Sequence, residues 1–345
     1  MTTARSISTK PRPSCPLCGT KGDLLYENLT DRLFSAPGIW QIRRCPKPDC
    51  GLHWLDPIPT DEDIGLIYND YYTHAEAQSG GGRLRSAYAV VQHAYWSHRF
   101  GYPNKLGNTK LWPAFLAYLN PGRREEMDSA VMYLPAQTGA RLLEVGCGSG
   151  ARLKLLRDLG WNAEGIEVDP AAVKRCIEQG LPVRPGFLHE QRFAGGTFAA
   201  VVMNHVIEHV IDPQSLLKEI RRVLVPRGVL VITTPNVGSW GHRRFHNNWV
   251  ALDPPRHLHL FHLQTLEQLA RQAGFTVQVA RTTIRGAAWI FLASRGIQRC
   301  GKFSMTAVVP RSQRLWGRAM ELAELFVLKT DAQAGEQITL IAETP

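Results

Sequence analysis

The chain has 345 residues, 44% of them apolar, with a formal charge of +10; this supplies a packed core and excludes global disorder. The length allows one large domain with additions or two domains, and the positive charge is scattered arginine without a long Lys/Arg run, so nucleic acid is not the expected partner. The most apolar stretch, Ala287 to Ala293, is far too short to span a bilayer, and MTTARSISTKPRPS lacks the apolar run of a secretory leader, so a cytoplasmic chain is expected, its seven cysteines reduced or metal-bound.

Residues 1–14 read as a loose tail. Residues 15–58 carry Cys15-x-x-Cys18-Gly and Cys45-Pro-Lys-Pro-Asp-Cys50-Gly. Two such knuckles, separated by 26 residues, can place four thiolates tetrahedrally around one Zn²⁺. The alternatives are unliganded or disulfide-bonded cysteines. A closed Cys₄ site leaves no coordination position for water, so the expected zinc is structural, and it supplies folding free energy that so small a segment cannot draw from its own core. Cys147, Cys176 and Cys300 lie outside the motif.

Residues 59–138 form a helical or linker region rich in aromatics, including Tyr68, Tyr71, Tyr72, Tyr95 and Trp96. Gly80-Gly81-Gly82 reads as a break, and Leu84 to Phe100 as a helix.

From residue 139 onward short apolar runs alternate with amphipathic helices, the signature of parallel βαβ units. Strands are predicted at Arg141–Val145, Ala163–Val168, Phe198–Met203 and Val229–Thr233. Helices are predicted at Ala151–Leu159, after the cap Asp169-Pro170, at Ser215–Leu224 with Leu216, Leu217, Ile220 and Leu224 on one face, and at Thr265–Ala273. Phe275–Thr283 and Gln337–Glu343 alternate like strands, and residues 285–335 between them read as an insertion.

Glu144-Val-Gly146-Cys147-Gly148-Ser-Gly150 joins the first of these strands to its helix. Glycines there let the backbone turn sharply and approach a ligand. Glu167, at the end of the second strand, stands where an acidic residue accepts both hydroxyls of a ribose. Gly146-x-Gly148-x-x-Ala151 also fits the relaxed dinucleotide pattern, so a nicotinamide oxidoreductase is a competing reading. Glu144 favours S-adenosylmethionine, because a carboxylate before the first glycine can hold an ammonium group.

LLEVGCGSG, GIEVDP, VVMNHVIEHVIDP, LLKEIRRVLVPRGVLVITTPN and AGFTV follow in the order and spacing of class I methyltransferases, which residues 140–283 resemble, with Gln337–Glu343 fitting the family's final antiparallel strand. The resemblance implies an α/β fold with a seven-stranded Rossmann-like sheet, S-adenosylmethionine as cofactor, Gly146, Gly148 and Gly150 lining it, and Glu167 on its ribose. Two positions depart from the family. Ala199 replaces the acidic residue after the phenylalanine of the fourth strand, and Pro226-Arg227-Gly228 replaces Pro-Gly-Gly before the fifth. Gly186-Phe187-Leu188-His189-Glu190 occupies the usual place of the adenine contact. CPLCG, RCPKPDCGLHWLDPIPT and IYNDYY resemble the N-terminal module of a bacterial methyltransferase group associated with sugar and cell-surface polysaccharide modification, which implies a zinc-ribbon-like module that helps close the substrate site.

Methyl transfer is an in-line displacement that positions a nucleophile and often removes its proton. Sheet topology puts such groups at the carboxyl ends of strands: Asn204 and His205 after the fourth, Thr234, Pro235 and Asn236 after the fifth, and Arg256, His257 and His259 in DPPRHLHLF. Asn204 is assigned to the cofactor. His257, then His205, are the candidate general bases, against the alternative of satisfied structural histidines. His205-Val-Ile-Glu208-His209 matches an inverted metalloprotease pattern, which its place after a Rossmann-type strand argues against, and His209 is read as packing or a hydrogen-bond anchor.

Between Arg285 and Lys329 stand eight Lys/Arg and two Glu. Basic residues beside Trp and Leu suit peripheral contact with an anionic membrane at its inner face; a helical lid or dimer face is the reading preferred. The expected acceptor is a small molecule: a sugar, nucleotide sugar or glycolipid precursor. The competing readings are an RNA methyltransferase with the zinc module as clamp and a non-catalytic partner protein retaining the fold.

Overall fold

The computed structural model describes residues 7–60, Asp63, Gly65, Ile67, 83–103, 112–306 and 308–345. Tyr68, Tyr71, Tyr72, Gly80-Gly81-Gly82 and all of the IYNDYY motif except Ile67 lie outside them.

The N-terminal part contains β1 (Thr9–Lys10), β2 (Asp23–Leu29), β3 (Trp40–Arg44), β4 (His53–Asp56) and β5 (Ile58–Pro59). The loose tail expected over residues 1–14 does not extend to its second half. Thr9 and Lys10 pair with Pro59 and Ile58, the Arg12 amide donates to Asp56 at 2.7 Å, and the Trp54 indole donates to the Arg12 carbonyl at 2.8 Å. Hydrogen-bond partners 42 to 50 residues away hold this stretch, and local polarity cannot reveal them.

The middle region holds α1 (Arg83–Phe100), a 3₁₀ segment at Trp112–Leu119 and α2 (Pro121–Ala130). Asn120 caps α2 by accepting from the Arg123 amide, and Pro121 occupies the first turn, where its missing N–H costs nothing. Tyr95 and Trp96 tie α1 to α2 by donating to the Asp128 carboxylate at 2.6 Å and the Met127 carbonyl at 2.8 Å.

The remainder runs β6 (Arg141–Val145), α3 (Ala151–Asp158), β7 (Asn162–Glu167), α4 (Pro170–Glu178), β8 (Val183–Pro185), β9 (Phe198–Asn204), α5 (Pro213–Val223), β10 (Leu224–Pro235), α6 (Trp240–Phe245), β11 (His259–Leu260), α7 (Leu263–Gln272), β12 (Thr276–Thr283), α8 (Ala287–Cys300), α9 (Arg311–Thr330) and β13 (Gln337–Glu343). Seven strands form one sheet in the order β12-β13-β10-β9-β6-β7-β8, with β13 antiparallel to both neighbours. This is the α/β, seven-stranded arrangement expected. The central parallel strands β6 and β9 are largely buried and mostly apolar, as a sheet covered on both faces requires. The chain crosses from one side of β6 to the other between β8 and β9, so a cleft opens at the carboxyl ends of β6 and β9.

Asp169 caps α4 by accepting from Ala171. The predicted helix at Ser215–Leu224 is shifted. Asp212 caps it by accepting from Ser215, Pro213 opens it, and it ends at Val223. Its buried face is therefore Leu217, Ile220 and Val223, with Leu224 already in β10.

The cysteine module is not packed as a separate body. β11 adds to the edge of β4, giving a four-stranded sheet β11-β4-β3-β2. Cys15, Cys45, Leu52 and Trp54 share a core with Phe261, Leu266 and Leu269. The 285–335 segment is a helical pair. α8 buries Ile290, Phe291 and Ile297 in a core shared with Trp40 and Ile42 of β3, while α9 turns Gly317 and Glu324 inward and Leu315, Leu322 and Phe326 outward. No helix among the described residues is long and apolar enough to cross a membrane.

Candidate cofactor cleft and metal centre

The four module cysteines converge. Their Sγ atoms all lie within 4.8 Å of one another, with Cys15–Cys50 at 3.6 Å and Cys18–Cys45 at 3.5 Å. Thiolates around tetrahedral zinc stand about 3.8 Å apart when each Zn–S bond is about 2.3 Å. The donor set therefore fits Zn²⁺, held by Cys15, Cys18, Cys45 and Cys50 without a vacant position for chemistry. The Thr265 hydroxyl donates to the Cys50 carbonyl, fastening the second knuckle to α7.

The glycine loop closes the carboxyl end of β6. Gly146, Gly148 and Gly150 all have positive φ, at 68°, 52° and 73°. A Cβ on Gly146 would stand 2.5 Å from a Val206 methyl. Here the glycines satisfy both a left-handed backbone and a close approach. Glu167 ends β7 and accepts from the Gly148 amide at 2.7 Å, and from Val168 and Asp169 at 2.8 and 2.9 Å. These three bonds aim its carboxylate across the loop and leave acceptor capacity for a hydroxyl. Cys147, expected among the cofactor residues, turns its thiol into the core against Gly165 and Leu153, where burial pushes its pKa up. Any contact with a ligand would be through its main chain. Phe187 is half-exposed beyond β8 and stacks on His189, with ring centroids 5.8 Å apart.

Glu144 is the most informative of the predicted residues. It is 2% exposed, one oxygen pairs with Arg152 at 3.2 Å, and the other, Oε2, is buried without a hydrogen-bond partner. Burial raises its pKa to about 7, against the opposing pull of Arg152. An unpartnered buried acceptor costs about 1–3 kcal/mol, and an ammonium group would satisfy it. Together with the glycines and Glu167, it makes the cleft fit the amino-acid and ribose ends of S-adenosylmethionine.

Asn204 ends β9, and its Oδ1 accepts from Thr233 at 2.8 Å and from Arg285 at 2.7 Å. Arg285 also reaches Gln337 at 3.1 Å, and burial lowers its pKa to about 10. Sequence reasoning placed Arg285 only at the start of an insertion; nothing local marks a residue whose partners lie 81 and 52 positions away. Arg152, on α3, pairs with Glu144 only eight residues before it, across the glycine loop.

His205 follows with φ 55°, a left-handed conformation that costs a non-glycine residue about 1–2 kcal/mol. Its amide donates to the Thr233 carbonyl, and its Nδ1 lies 3.1 Å from Glu208 Oε1. Glu208 is fully buried and accepts from Thr234 at 2.9 Å through its other oxygen. Burial alone would raise the Glu208 pKa, but the hydrogen bond to His205 and the neighbouring imidazoles hold it at about 2. His257 is buried, its Nδ1 2.7 Å from the Ala251 carbonyl, and its ring meets His209 with centroids 4.8 Å apart. The two candidate bases therefore differ. His205 is partly open and backed by a carboxylate, whereas His257 lies deeper, against His209. His259 is fully buried in β11, and Asn236 is turned away, donating to the Gln333 and Gly335 carbonyls.

Residues 119–279 match a protein-family profile described as "Methyltransferase domain". Over this stretch the chain is similar to a methyltransferase domain. A probable S-adenosylmethionine-dependent methyltransferase of Mycolicibacterium smegmatis is 31% identical over 164 residues, 46% of this chain and 60% of that protein. A ubiquinone biosynthesis O-methyltransferase of Caulobacter sp. strain K31 is 31% identical over 105 residues, 28% of this chain and 42% of its own. The chain thus spans about two fifths to three fifths of these relatives. A solved S-adenosylmethionine-dependent methyltransferase from Mesorhizobium loti aligns with 63% of this chain and 97% of its own, at 15% identity and a TM-score of 0.44, too loose a likeness to argue from. The matched stretch contains the glycine loop, Glu167, Asn204 and His205, and the cysteine module lies before it.

Proposed function

We propose that the chain transfers a methyl group from S-adenosylmethionine to a hydroxyl oxygen of a small molecule, a sugar, nucleotide sugar or glycolipid precursor. The observation that carries the donor is the buried, unpartnered Oε2 of Glu144 beside the positive-φ glycines. Bound there, S-adenosylmethionine supplies an electrophilic methyl group. Glu144 holds the ammonium end, Glu167 the ribose, and Asn204 with Arg285 shapes the wall below the strand ends.

His205 rather than His257 is our choice of general base. Its Nδ1–H donates to Glu208, which fixes the tautomer and leaves Nε2 to take the acceptor's proton. His257 is too enclosed to meet an acceptor directly. The name of the Caulobacter relative, an O-methyltransferase, supports oxygen as the acceptor atom, and the resemblance of the cysteine module to the sugar-associated group supports a sugar-type acceptor.

Calorimetric titration with S-adenosylmethionine tests the donor, followed by activity assays on nucleotide sugars and lipid extracts. Saturable one-to-one binding with methylated product supports the proposal. A folded protein that ignores the donor ends it.

A further inference from the structure

We propose that Glu208, His209 and His257 form a second metal site, separate from the four cysteines, that takes a divalent first-row transition ion and binds the acceptor through its hydroxyl oxygen. The binding of the ion rests on the geometry alone; the role of the acceptor rests on the methyl-transfer reading above.

One ligand atom from each of the three side chains lies within 4.8 Å of the others. The hydrogen bonds at Nδ1 decide which nitrogen of each histidine can bind an ion. His257 Nδ1 is 2.7 Å from the Ala251 carbonyl and His209 Nδ1 is 3.0 Å from the Arg256 carbonyl. A carbonyl only accepts, so each Nδ1 carries the hydrogen and each Nε2 the lone pair. Metal-binding histidines are oriented in the same way, with the far ring nitrogen donating to a carbonyl or carboxylate. Glu208 is fully buried and aimed by Thr234 and His205, so its charge is placed rather than mobile. The Leu258 amide donates to the Glu208 carbonyl at 2.8 Å, locking the segment that bears His257 to the one that bears Glu208 and His209.

The chemistry of the set narrows the ion. Two imidazoles and one carboxylate suit Zn²⁺, Fe²⁺, Co²⁺ or Mn²⁺, and leave positions open. The cysteines offer no such opening. Glu208 and His209 follow the carboxyl end of β9, where the topology opens the cleft, and His205 touches the same carboxylate. An ion here would lower the pKa of a coordinated hydroxyl, and His205 would take the proton released. The site thus selects acceptors that present a hydroxyl able to reach the ion.

Manganese separates the two sites, because a thiolate cluster holds this harder ion poorly. Zinc-loaded protein titrated with Mn²⁺ and followed by electron paramagnetic resonance should remove one free ion per chain. His257→Ala and His209→Asn should each weaken that binding at least tenfold, whereas Cys18→Ser should leave it in place. Circular dichroism of the variants checks folding. Water-proton relaxation should be enhanced by the bound Mn²⁺, which reports an open coordination position. Absence of any Mn²⁺, Co²⁺ or Zn²⁺ beyond that held by the cysteines overturns the site, as does binding indifferent to both histidine variants. Bound Mn²⁺ without relaxation enhancement overturns the role for the acceptor. Titration with S-adenosylmethionine on the same protein is independent: loss of donor binding sinks the methyl-transfer reading and leaves the metal result standing.

Discussion

Arg256 grips Asp31 across 225 positions of sequence with two hydrogen bonds of 2.8 Å, one to each carboxylate oxygen. Both side chains are fully buried, and Asp253 completes the cluster through Arg256 Nε at 3.0 Å and Nη2 at 2.5 Å. This joins the N-terminal module to the segment that carries His257. Coulomb attraction inside the protein offsets the desolvation of the pair only while both partners remain. Asp31→Ala should therefore cost about 3–5 kcal/mol, read as a lower midpoint in urea unfolding. Unchanged stability would mean that the module is not anchored here.

Zinc should be structural. Cys15→Ser removes one of four donors, so stoichiometric zinc should fall and the melting temperature should drop with it. Metal analysis of the purified variant checks this, and one zinc retained per chain would refute the Cys₄ site.

The glycine loop is closely packed at Gly146 and Gly150, on either side of Gly148. Gly148 has φ 52° and its amide feeds Glu167. Gly148→Arg should abolish binding of S-adenosylmethionine while the zinc content stays at wild-type level. Donor affinity equal to wild type would remove the loop from the cofactor site.

Donor binding should depend on pH through Glu144. Its pKa rises from the ordinary 4.5 to about 7 in the folded protein. Between those values the native state holds the extra proton, so this group makes the free protein less stable as pH increases through that window. An ammonium ligand needs the carboxylate, so affinity for S-adenosylmethionine should rise with pH through about 7, and binding below it should release a proton. Glu144→Gln should flatten the profile and weaken binding roughly 10- to 100-fold, the worth of a hydrogen bond to a charged group. Calorimetry in buffers of different ionisation enthalpy measures both effects.

Arg227 stands where the resembled family has its second glycine, in the irregular start of β10 between Leu224 and Val229, and it sits at φ 59°. The strain of that conformation, about 1–2 kcal/mol, exceeds the entropic cost of glycine, about 0.5–1 kcal/mol. Arg227→Gly should therefore stabilise the protein by about 0.5–1 kcal/mol, visible as a raised denaturation midpoint; a fall would show that the arginine side chain contributes more than its backbone costs.

The sequence by itself determined the parts whose signals are local. Period-two and period-3.6 patterns located the strands and helices of the large sheet, and Gln337–Glu343 matches β13 at both ends. Asp169-Pro170 announced a cap because both residues act on the turn they begin. The two knuckles announced four converging thiolates because ligand spacing is a property of short peptides. Glu144, Gly146, Gly148, Gly150 and Glu167 were legible because one strand–loop–helix unit and the strand beside it contain them all.

Only the tertiary structure decided what depends on residues far apart in the chain. It turned Cys147 into the core, brought Arg285 to Asn204, paired residues 9–10 with 58–59 and the Arg12 amide with Asp56, and fused the cysteine module to β11. It also reordered the histidines, setting His205 against Glu208 and enclosing His257 beside His209. No local pattern encodes these pairings. A side chain's partner is chosen by which strand ends and loops pack together, and that is settled by the burial of apolar surface over the whole sheet.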